Sequence, residues 1–254
     1  MAAPLITLLT DFGAGSGYPA QVKGVILAAA RDAVIVDLSH EVPQFDIRSG
    51  ALLLEACVRW FPVDAVHVAV VDPGVGTSRR AVCVVDRDGR RFVGPDNGIF
   101  TPFLPGARAF QLSNPDRVPV PPSATFHGRD LLAPVAAWLA RGGAASELGP
   151  ELADPVRLPW PAAERNGKVV RGEVLAADTF GNLFTSIRAD DLGGAAVTVE
   201  VEGRAARFVR TFGDGASGEL LAMVGSGGRL ELAVREGSAA RLISVGAAVE
   251  ALLP

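Results

Sequence analysis

Short apolar runs separated by glycine-rich or polar turns dominate the first half of the chain. The run Val66–Val71 is apolar at nearly every position, which is typical of a strand buried on both faces of a sheet. It leads into Asp72 and ends at Pro73, which cannot donate to a ladder. The same patterns predict the other elements of this half: strands at Leu5–Thr10, Ala33–Leu38, Ala81–Asp86, Arg90–Val93 and Ala107–Leu112, and helices at Tyr18–Arg31, Asp46–Trp60 and from about His127 to Arg141.

The second half has a different pattern. Prolines at 155, 159 and 161, followed by Asn166-Gly167, predict an interdomain linker. Beyond them nearly every segment is a short strand bounded by glycine turns, which predicts a small barrel or sandwich. The predicted strands are Lys168–Ala177, Leu183–Arg188, Val197–Val201, Arg207–Phe212, Leu220–Val224, Arg229–Val234 and Ala248–Leu252.

Composition narrows the class of protein. The chain has 254 residues, 49% of them apolar, which is enough for a sizeable core in one large or two smaller domains. A net charge of -4 argues against binding nucleic acid, and no apolar run approaches the ~20 residues of a membrane span. Cys57 and Cys83 lie in apolar runs and are interpreted as small hydrophobic residues. The first residues lack a basic segment, so we expect no signal peptide and a cytoplasmic location.

Candidate chemistry lies where predicted strands end. Asp11 and Asp72 follow apolar strands, the position where open α/β sheets bind ligands. Asp11 can accept the hydroxyls of a ribose or can cap a helix, and Asp72 can face Arg79 or be a turn residue. His67 lies inside a strand and is interpreted as a core residue, whereas His127 lies in a turn before a helix, a better position for catalysis.

The sequence favours a site without a metal. Asp11, Asp37, Asp72 and His127 could converge as in a metal-dependent phosphoesterase, but none of the four lies in an HxD, HExxH or DxD signature that would support this. The chain also lacks a G-x-S-x-G elbow and a Walker loop, which argues against a nucleophilic serine and against P-loop chemistry.

Five segments taken together resemble one family. They are Thr10-Asp11-Phe12-Gly13, residues 71–77 (Val-Asp-Pro-Gly-Val-Gly-Thr), Gly94-Pro95-Asp96-Asn97-Gly98, residues 125–130 (Thr-Phe-His-Gly-Arg-Asp) and Phe180-Gly181-Asn182. Their order is similar to that in the S-adenosyl-L-methionine (SAM) hydroxide adenosyltransferases, also called SAM hydrolases, which are related to the SAM-dependent fluorinase and chlorinase. The resemblance spans almost the whole chain.

The resemblance implies a reaction and an architecture. Water or hydroxide displaces L-methionine from the ribose C5′ of SAM, giving adenosine and methionine, with SAM as the substrate and no cofactor. The implied fold is an α/β N-terminal domain with a Rossmann-like layered sheet at 1–160, followed by an all-β, barrel-like domain at 168–254 that completes the adenosine site. The resemblance also implies a homotrimer, with sites between the N-terminal domain of one subunit and the C-terminal domain of a neighbour.

It further implies roles for individual residues. Asp72, Arg79 and His127 match the set that activates water, and Asp11 matches the aspartate that binds the ribose hydroxyls. Asn182 matches the asparagine at the adenine edge, and Asp178 and Ser226 match positions that contact the methionine moiety. The remaining expected binding residues are Phe45, Phe126 and Phe184 around the nucleoside, and Glu231 and Arg235 on the adenine-side strand.

Two differences from the related halogenases bear on the nucleophile, and one difference from many relatives bears on substrate recognition. Gly128 stands where halogenases carry a halide-binding serine, and their long insertion near residues 86–91 is absent here. Both differences favour hydroxide over halide. Ser16 stands where many relatives have an aspartate near the methionine amine. A SAM-dependent halogenase and a non-catalytic adenosine- or SAM-binding module are the alternatives.

Overall fold

The computed structural model describes residues 3–194 and 197–254, and the chain forms two compact units that divide between Trp160 and Pro161. The N-terminal unit is a mixed sheet covered by helices, and the C-terminal unit is a closed barrel.

Seven strands form the N-terminal sheet. They are β1 (Leu5–Thr10), β2 (Val34–Ser39), β3 (Val66–Val70), β4 (Ala81–Val85), β5 (Arg91–Pro95), β6 (Arg108–Gln111) and β7 (Glu151–Leu152), in the order β2-β1-β3-β5-β4-β6-β7. The first four strands of that order run parallel, whereas β4, β6 and β7 pair antiparallel. The carboxyl ends of β1, β2, β3 and β5 therefore meet at one edge of the sheet.

Helices cover both faces of this sheet. Helices α1 (Tyr18–Ala29) and α3 (Ala133–Ala140) pack on one face, and α2 (Ile47–Val58) packs on the other. The chain moves outward from β1 to β2 and then crosses back to β3, so the strand order reverses between β1 and β3. Such a reversal leaves a crevice at the carboxyl ends of the two strands. None of the helices within the described ranges is long and apolar enough to cross a membrane.

The helix predicted from about His127 to Arg141 is alanine-rich and contains Pro134, and it is not α-helical throughout. A π-helical turn at Gly128–Leu132 precedes α3, and the Ala133 amide donates to the Gly128 carbonyl, five residues back. Pro134 follows directly and has no N–H to continue an α-helical ladder. The wider turn accommodates the proline, and π turns of this kind are frequent at functional sites.

The C-terminal unit is a barrel. Its strands are β8 (Glu164–Asn166), β9 (Val169–Ala177), β10 (Leu183–Arg188), β11 (Thr198–Val201), β12 (Arg204–Phe208), β13 (Leu220–Val224), β14 (Arg229–Val234) and β15 (Ala248–Leu252), with a short helix α4 (Ala189–Leu192) after β10. The order is β10-β14-β13-β12-β11-β15-β9, and pairing of β9 with β10 closes seven strands, while β8 adds to β9. The expected barrel-like domain is thus confirmed as a closed barrel.

Two sequence predictions in this unit are wrong. The strand predicted at Arg207–Phe212 lies at Arg204–Phe208, and Phe212 begins a 3₁₀ turn. Glu202 and Gly203 both have positive φ, at 49° and 70°, and so form a tight turn that starts the return strand at once. Asn166-Gly167 is the turn of the β8–β9 hairpin and not part of a linker.

His67 lies in the core of the N-terminal unit as predicted, and it gives stability a pH dependence. Its side chain is fully buried, and Nδ1 bonds to the Thr7 hydroxyl at 2.8 Å. Burial lowers the pKa of His67 to about 4, and Arg90 and Arg91 act in the same direction. Between pH 6.5 and about 4 the unfolded chain binds a proton there that the folded chain does not, so stability falls as the pH is lowered.

We therefore expect the unfolding free energy to lose about 3 kcal/mol over that interval through His67 alone. Urea denaturation of the wild type and of His67→Gln at pH 7 and pH 4.5 measures this, because glutamine does not titrate. The wild type should lose more stability than the variant on acidification. Parallel losses in the two proteins would show that His67 does not carry the effect.

Candidate functional site

A cavity of about 240 Å³ lies in the N-terminal unit at the carboxyl ends of β1 and β3. Asp11 follows β1 directly, and Asp72 follows β3 after one residue, so the sheet brings the two carboxylates to the point where the strand order reverses. The cavity is lined by Asp11, Phe12, Tyr18, Gln44, Phe45, Val70, Asp72, Val75, Thr125, Phe126, His127 and Gly128. Three residues expected from the sequence to bind the substrate, Asp11, Phe45 and Phe126, therefore line one cavity. Two of the expected catalytic residues, Asp72 and His127, line it as well, whereas Arg79 lies behind them.

Asp72, Arg79 and His127 are in direct contact although 48 residues separate Arg79 from His127 in sequence. The Arg79 Nε donates to both Asp72 oxygens at 3.0 Å, and Nη2 also donates to Oδ2. The same Nη2 donates to His127 Nδ1 at 3.2 Å. The Asp72 and Arg79 side chains are only 5% and 11% exposed, so the ion pair is largely shielded from water.

These contacts define the protonation of His127. A guanidinium offers only donors, so Nδ1 accepts and the proton of the neutral ring lies on Nε2. Burial lowers the pKa of His127, and Arg79 lowers it further, while Asp72 and Asp130 oppose the shift. The ring is therefore neutral at physiological pH and presents an N–H donor on the side away from Arg79.

Asp11 organises the opposite wall of the cavity. Its Oδ2 accepts the Phe45 amide at 3.0 Å. Phe45 adopts a left-handed backbone conformation, with φ of 66°, and its side chain is 65% exposed at the cavity. Asp46 caps α2 by accepting the Ser49 amide at 2.9 Å, as the sequence predicts. A carboxylate and an exposed ring are thus held side by side at the mouth of the cavity.

Three aromatic rings form another part of the wall. Phe12, Tyr18 and Phe126 meet edge to face, with centroids 5.3 to 6.0 Å apart. The Arg129 guanidinium lies over the Phe126 ring at 4.8 Å and also pairs with Asp130. Such edge-to-face contacts fix ring orientation, so this wall is preformed and apolar.

The C-terminal unit has a cavity of its own, of about 820 Å³. It is lined by Phe180, Asn182, Phe212, Gly213, Val234, Arg235, Glu236, Gly237, Ser238 and Arg241. Asp178 orders one side of this cavity. The backbone amides of Phe180 and Asn182 donate to its Oδ1, and the Asn182 Nδ2 donates to its Oδ2 at 2.9 Å. The Asn182 side chain is thereby oriented, and the Phe180 ring beside it is 78% exposed.

Of the other predicted residues of this unit, Arg235 lines this cavity, whereas Phe184, Ser226 and Glu231 do not. Phe184 pairs in register with Glu231 across β10 and β14, and burial together with Asp178 raises the pKa of Glu231. Ser226 follows Gly225, whose backbone lies against the Glu231 carboxylate. Arg235 donates through Nη1 to the Gly213 carbonyl at 3.0 Å and also to the Gly215 carbonyl, so its guanidinium already holds the turn that carries Phe212.

The comparisons with known proteins agree across both units. Residues 6–149 match the profile of the SAM hydroxide adenosyltransferase N-terminal domain, and residues 172–250 match that of the C-terminal domain. The chain belongs to the SAM hydroxide adenosyltransferase family.

Individual relatives extend the comparison. A Salinispora tropica protein named (R)-S-adenosyl-L-methionine hydrolase is 42% identical over 217 residues, which are 83% of this chain and 82% of that one. A fluorinase of Actinopolyspora mzabensis is 30% identical over 223 residues, 76% and 75% of the two chains. The crystal structure of an uncharacterized conserved protein from Thermotoga maritima superposes with a TM-score of 0.90 at 36% identity, covering 97% and 99%.

Several residues that line the two cavities were not among the sequence predictions. Phe12, Tyr18 and Gln44 line the N-terminal cavity, and Phe212 and Arg241 line the C-terminal one. The sequence analysis missed Phe212 because it placed this residue at the end of a strand. In the structure Phe212 begins a 3₁₀ turn and its side chain is exposed. Gln44 gives no signal in the sequence, since glutamine is common on any surface.

The residue that follows His127 is packed against the Phe12 ring. A Cβ on Gly128 would lie 3.3 Å from the Phe12 ring and 3.6 Å from Val70. Across residues 3–194 and 197–254, no three His, Cys, Asp or Glu side chains are grouped as they would be to hold a metal ion.

Proposed function

We propose that this protein is a SAM hydrolase, in which water or hydroxide attacks the ribose C5′ of SAM. The C5′–O bond forms as the C5′–S bond breaks, and the sulfur electron pair leaves with L-methionine, giving adenosine. The Asp72–Arg79–His127 cluster at the wall of the N-terminal cavity is the observation that carries the proposal. Curated relatives with the name (R)-S-adenosyl-L-methionine hydrolase, 36% to 43% identical, support it.

The electrostatics of the cluster favour an anionic nucleophile. Positive charge already activates the sulfonium leaving group, so the difficult part is to hold a desolvated nucleophile in line with the C5′–S bond. Arg79 supplies a fixed cation, and the neutral His127 ring supplies an N–H donor. Donors held in place lower the free energy of bound hydroxide, and the proton of the water is released to solvent. Asp72 acts by holding Arg79, since that guanidinium already occupies both of its oxygens.

We propose that the N-terminal sheet binds the nucleoside as a Rossmann-like layered sheet does, at the carboxyl ends of its parallel strands. Asp11 then accepts the ribose hydroxyls. Phe45 and Phe126 contribute ring surface to the nucleoside, worth about 0.5–1.5 kcal/mol per stacked pair beyond burial.

Residues of the C-terminal unit complete the proposed set. Asn182 recognises the adenine edge, and its amide is already oriented by Asp178. Asp178 and Ser226 contact the methionine moiety. The remaining proposed substrate-binding residues are Phe184, Glu231 and Arg235.

We further propose a cytoplasmic homotrimer with sites at subunit interfaces and with no cofactor. The N-terminal cavity of about 240 Å³ is smaller than the roughly 300–1,000 Å³ of typical ligand pockets, which supports a site completed by a second surface. Sedimentation equilibrium tests the assembly: three times the mass of the chain is expected, and a monomer at all concentrations would contradict it.

The first experiment is to incubate the purified protein with SAM in H₂¹⁸O and to analyse the products by chromatography and mass spectrometry. Equal amounts of methionine and of adenosine with ¹⁸O at the 5′ position are expected, both with and without EDTA. A 5′-halo-adenosine formed in added chloride or fluoride would identify a halogenase instead. Bound adenosine without turnover would identify a binding module, and loss of activity in EDTA would identify a metal enzyme.

A further inference from the structure

The turn Gly94-Pro95-Asp96-Asn97-Gly98 has no part in the mechanism proposed above, although it ends a strand of the same sheet edge. Strand β5 lies parallel to β3, and a Cβ on Gly94 would lie only 2.4 Å from the Ala69 carbonyl. A side chain on Gly94 would therefore clash with β3, and glycine lets the end of β5 lie directly against it. Two residues of this turn, Asp96 and Asn97, reach the chain on either side of the Asp72–Arg79 ion pair.

Asn97 holds the residue that precedes Asp72. Its Nδ2 donates to the Val71 carbonyl at 2.8 Å, and its Oδ1 accepts the Ile99 amide at 3.2 Å. The Val71 carbonyl belongs to the peptide unit that joins Val71 to Asp72. Because a peptide unit is planar, fixing this carbonyl fixes the direction in which the chain enters Asp72.

Asp96 holds the residue that follows Arg79. Its amide donates to the Arg80 carbonyl at 2.9 Å, and the same carbonyl accepts Arg79 Nη1 at 3.4 Å. The Asp96 carboxylate is almost fully buried and accepts the Arg80 Nε at 2.8 Å and the Val156 amide at 2.8 Å. The Arg80 backbone is thus anchored through both its carbonyl and its side chain.

We propose that Asp96 and Asn97 are positioning residues for the reaction: together they fix the backbone on both sides of the Asp72–Arg79 pair and so set the place of the Arg79 guanidinium beside His127. The kinetic part of this proposal rests on the proposed SAM hydrolysis. A displacement of about 1 Å in a catalytic group can lower a rate about a hundredfold, so anchoring of this kind acts on turnover more than on substrate affinity.

The chain offers a matched control for Asn97. Asn114 is half-buried like Asn97, donates through Nδ2 to the Glu147 carbonyl at 2.6 Å and accepts the Asp116 amide at 3.1 Å. It makes the same two types of bond and contacts none of the catalytic residues. If Asn97 acted only on stability, Asn97→Ala and Asn114→Ala would behave alike.

We expect Asn97→Ala to lower kcat for SAM about a hundredfold with KM changed less than about threefold, because an interaction needed only in the transition state is lost. Asn114→Ala should retain the wild-type kcat. Asn97→Ser keeps a hydroxyl for the Ile99 amide but cannot reach the Val71 carbonyl, so it should lose kcat like alanine and serves if Asn97→Ala fails to fold. Wild-type kcat in a folded Asn97 variant would overturn the proposal.

A second readout does not depend on turnover. The protein has three histidines, so an NMR titration of the imidazole C–H resonances resolves each ring. In Asn97→Ala or Asn97→Ser the pKa of His127 should rise toward its ordinary value as Arg79 moves away, while that of His67 stays in place. An unchanged His127 titration would overturn the positioning role. Absence of SAM turnover in the wild type, with a shifted His127, would instead refute only the proposed function.

Discussion

Arg79→Met is expected to lower kcat for SAM hydrolysis about a thousandfold, because it removes the cation that holds the nucleophile. Methionine keeps an unbranched apolar stem but lacks the guanidinium, so it cannot donate to His127 or Asp72. Binding of adenosine should change little, since Arg79 is not among the residues that line the cavity. Steady-state kinetics with SAM, together with calorimetric titration of adenosine, separates the two effects.

The same substitution is expected to destabilise the protein, and a double variant separates stability from catalysis. Arg79→Met leaves Asp72, only 5% exposed, without its partner, and stranding one member of a buried ion pair costs about 3–5 kcal/mol. Asp72→Asn in addition should restore most of that stability but not the activity.

Arg87→Met is the matched control, because that side chain is 78% exposed and lies outside the cluster. It should leave both activity and stability unchanged. Turnover by Arg79→Met at the wild-type rate would show that the assignment of the catalytic cluster is wrong.

Asp11→Asn is expected to raise KM for SAM about a hundredfold with a smaller change in kcat. Bonds from two ribose hydroxyls to a carboxylate are each worth about 1.5–3 kcal/mol, and about 3 kcal/mol corresponds to about a hundredfold in affinity. Asparagine retains an oxygen for the Phe45 amide, so the loop that carries Phe45 should persist.

Competition by adenosine and by 2′,3′-dideoxyadenosine tests the assigned role of Asp11. The wild type should prefer adenosine strongly, and Asp11→Asn should bind the two almost equally. Glu41→Gln is a suitable control, because Glu41 also accepts a backbone amide, that of Ala14, but does not line the cavity. Equal discrimination by wild type and Asp11→Asn would contradict a ribose-binding role.

The local hydrophobic pattern was sufficient to predict the strands whose carboxyl ends meet at the N-terminal cavity. Continuous apolar runs such as Val66–Val71 indicate burial on both faces, and the structure has β3 at Val66–Val70 with every residue buried. Pattern was not sufficient to predict β8, whose three residues are all exposed and polar and pair with β9. A strand with no apolar face leaves no periodic signal.

Contacts across long sequence separation explain what the sequence alone left open. Spacing could place Asp72 at the end of a strand but could not decide whether Arg79 faced it or faced solvent. His127 reaches Arg79 only because α3 packs back onto β1 and β3. The resemblance to a family supplied the expected set of site residues. The hydrogen bonds of Asp96 and Asn97 could be identified only from the structure.

The π-helical turn at Gly128–Leu132 has a consequence for engineering this chain. Each residue of an α-helix rotates the next by about 100°, so removing one residue from the turn would swing the His127 ring by roughly that angle around the helix axis. A substitution within the turn leaves the number of residues, and hence this rotation, unchanged. An insertion or a deletion there changes the rotation. Libraries built on this protein should therefore keep the spacing from His127 to Pro134 constant and leave the buried Leu131 and Leu132 unchanged.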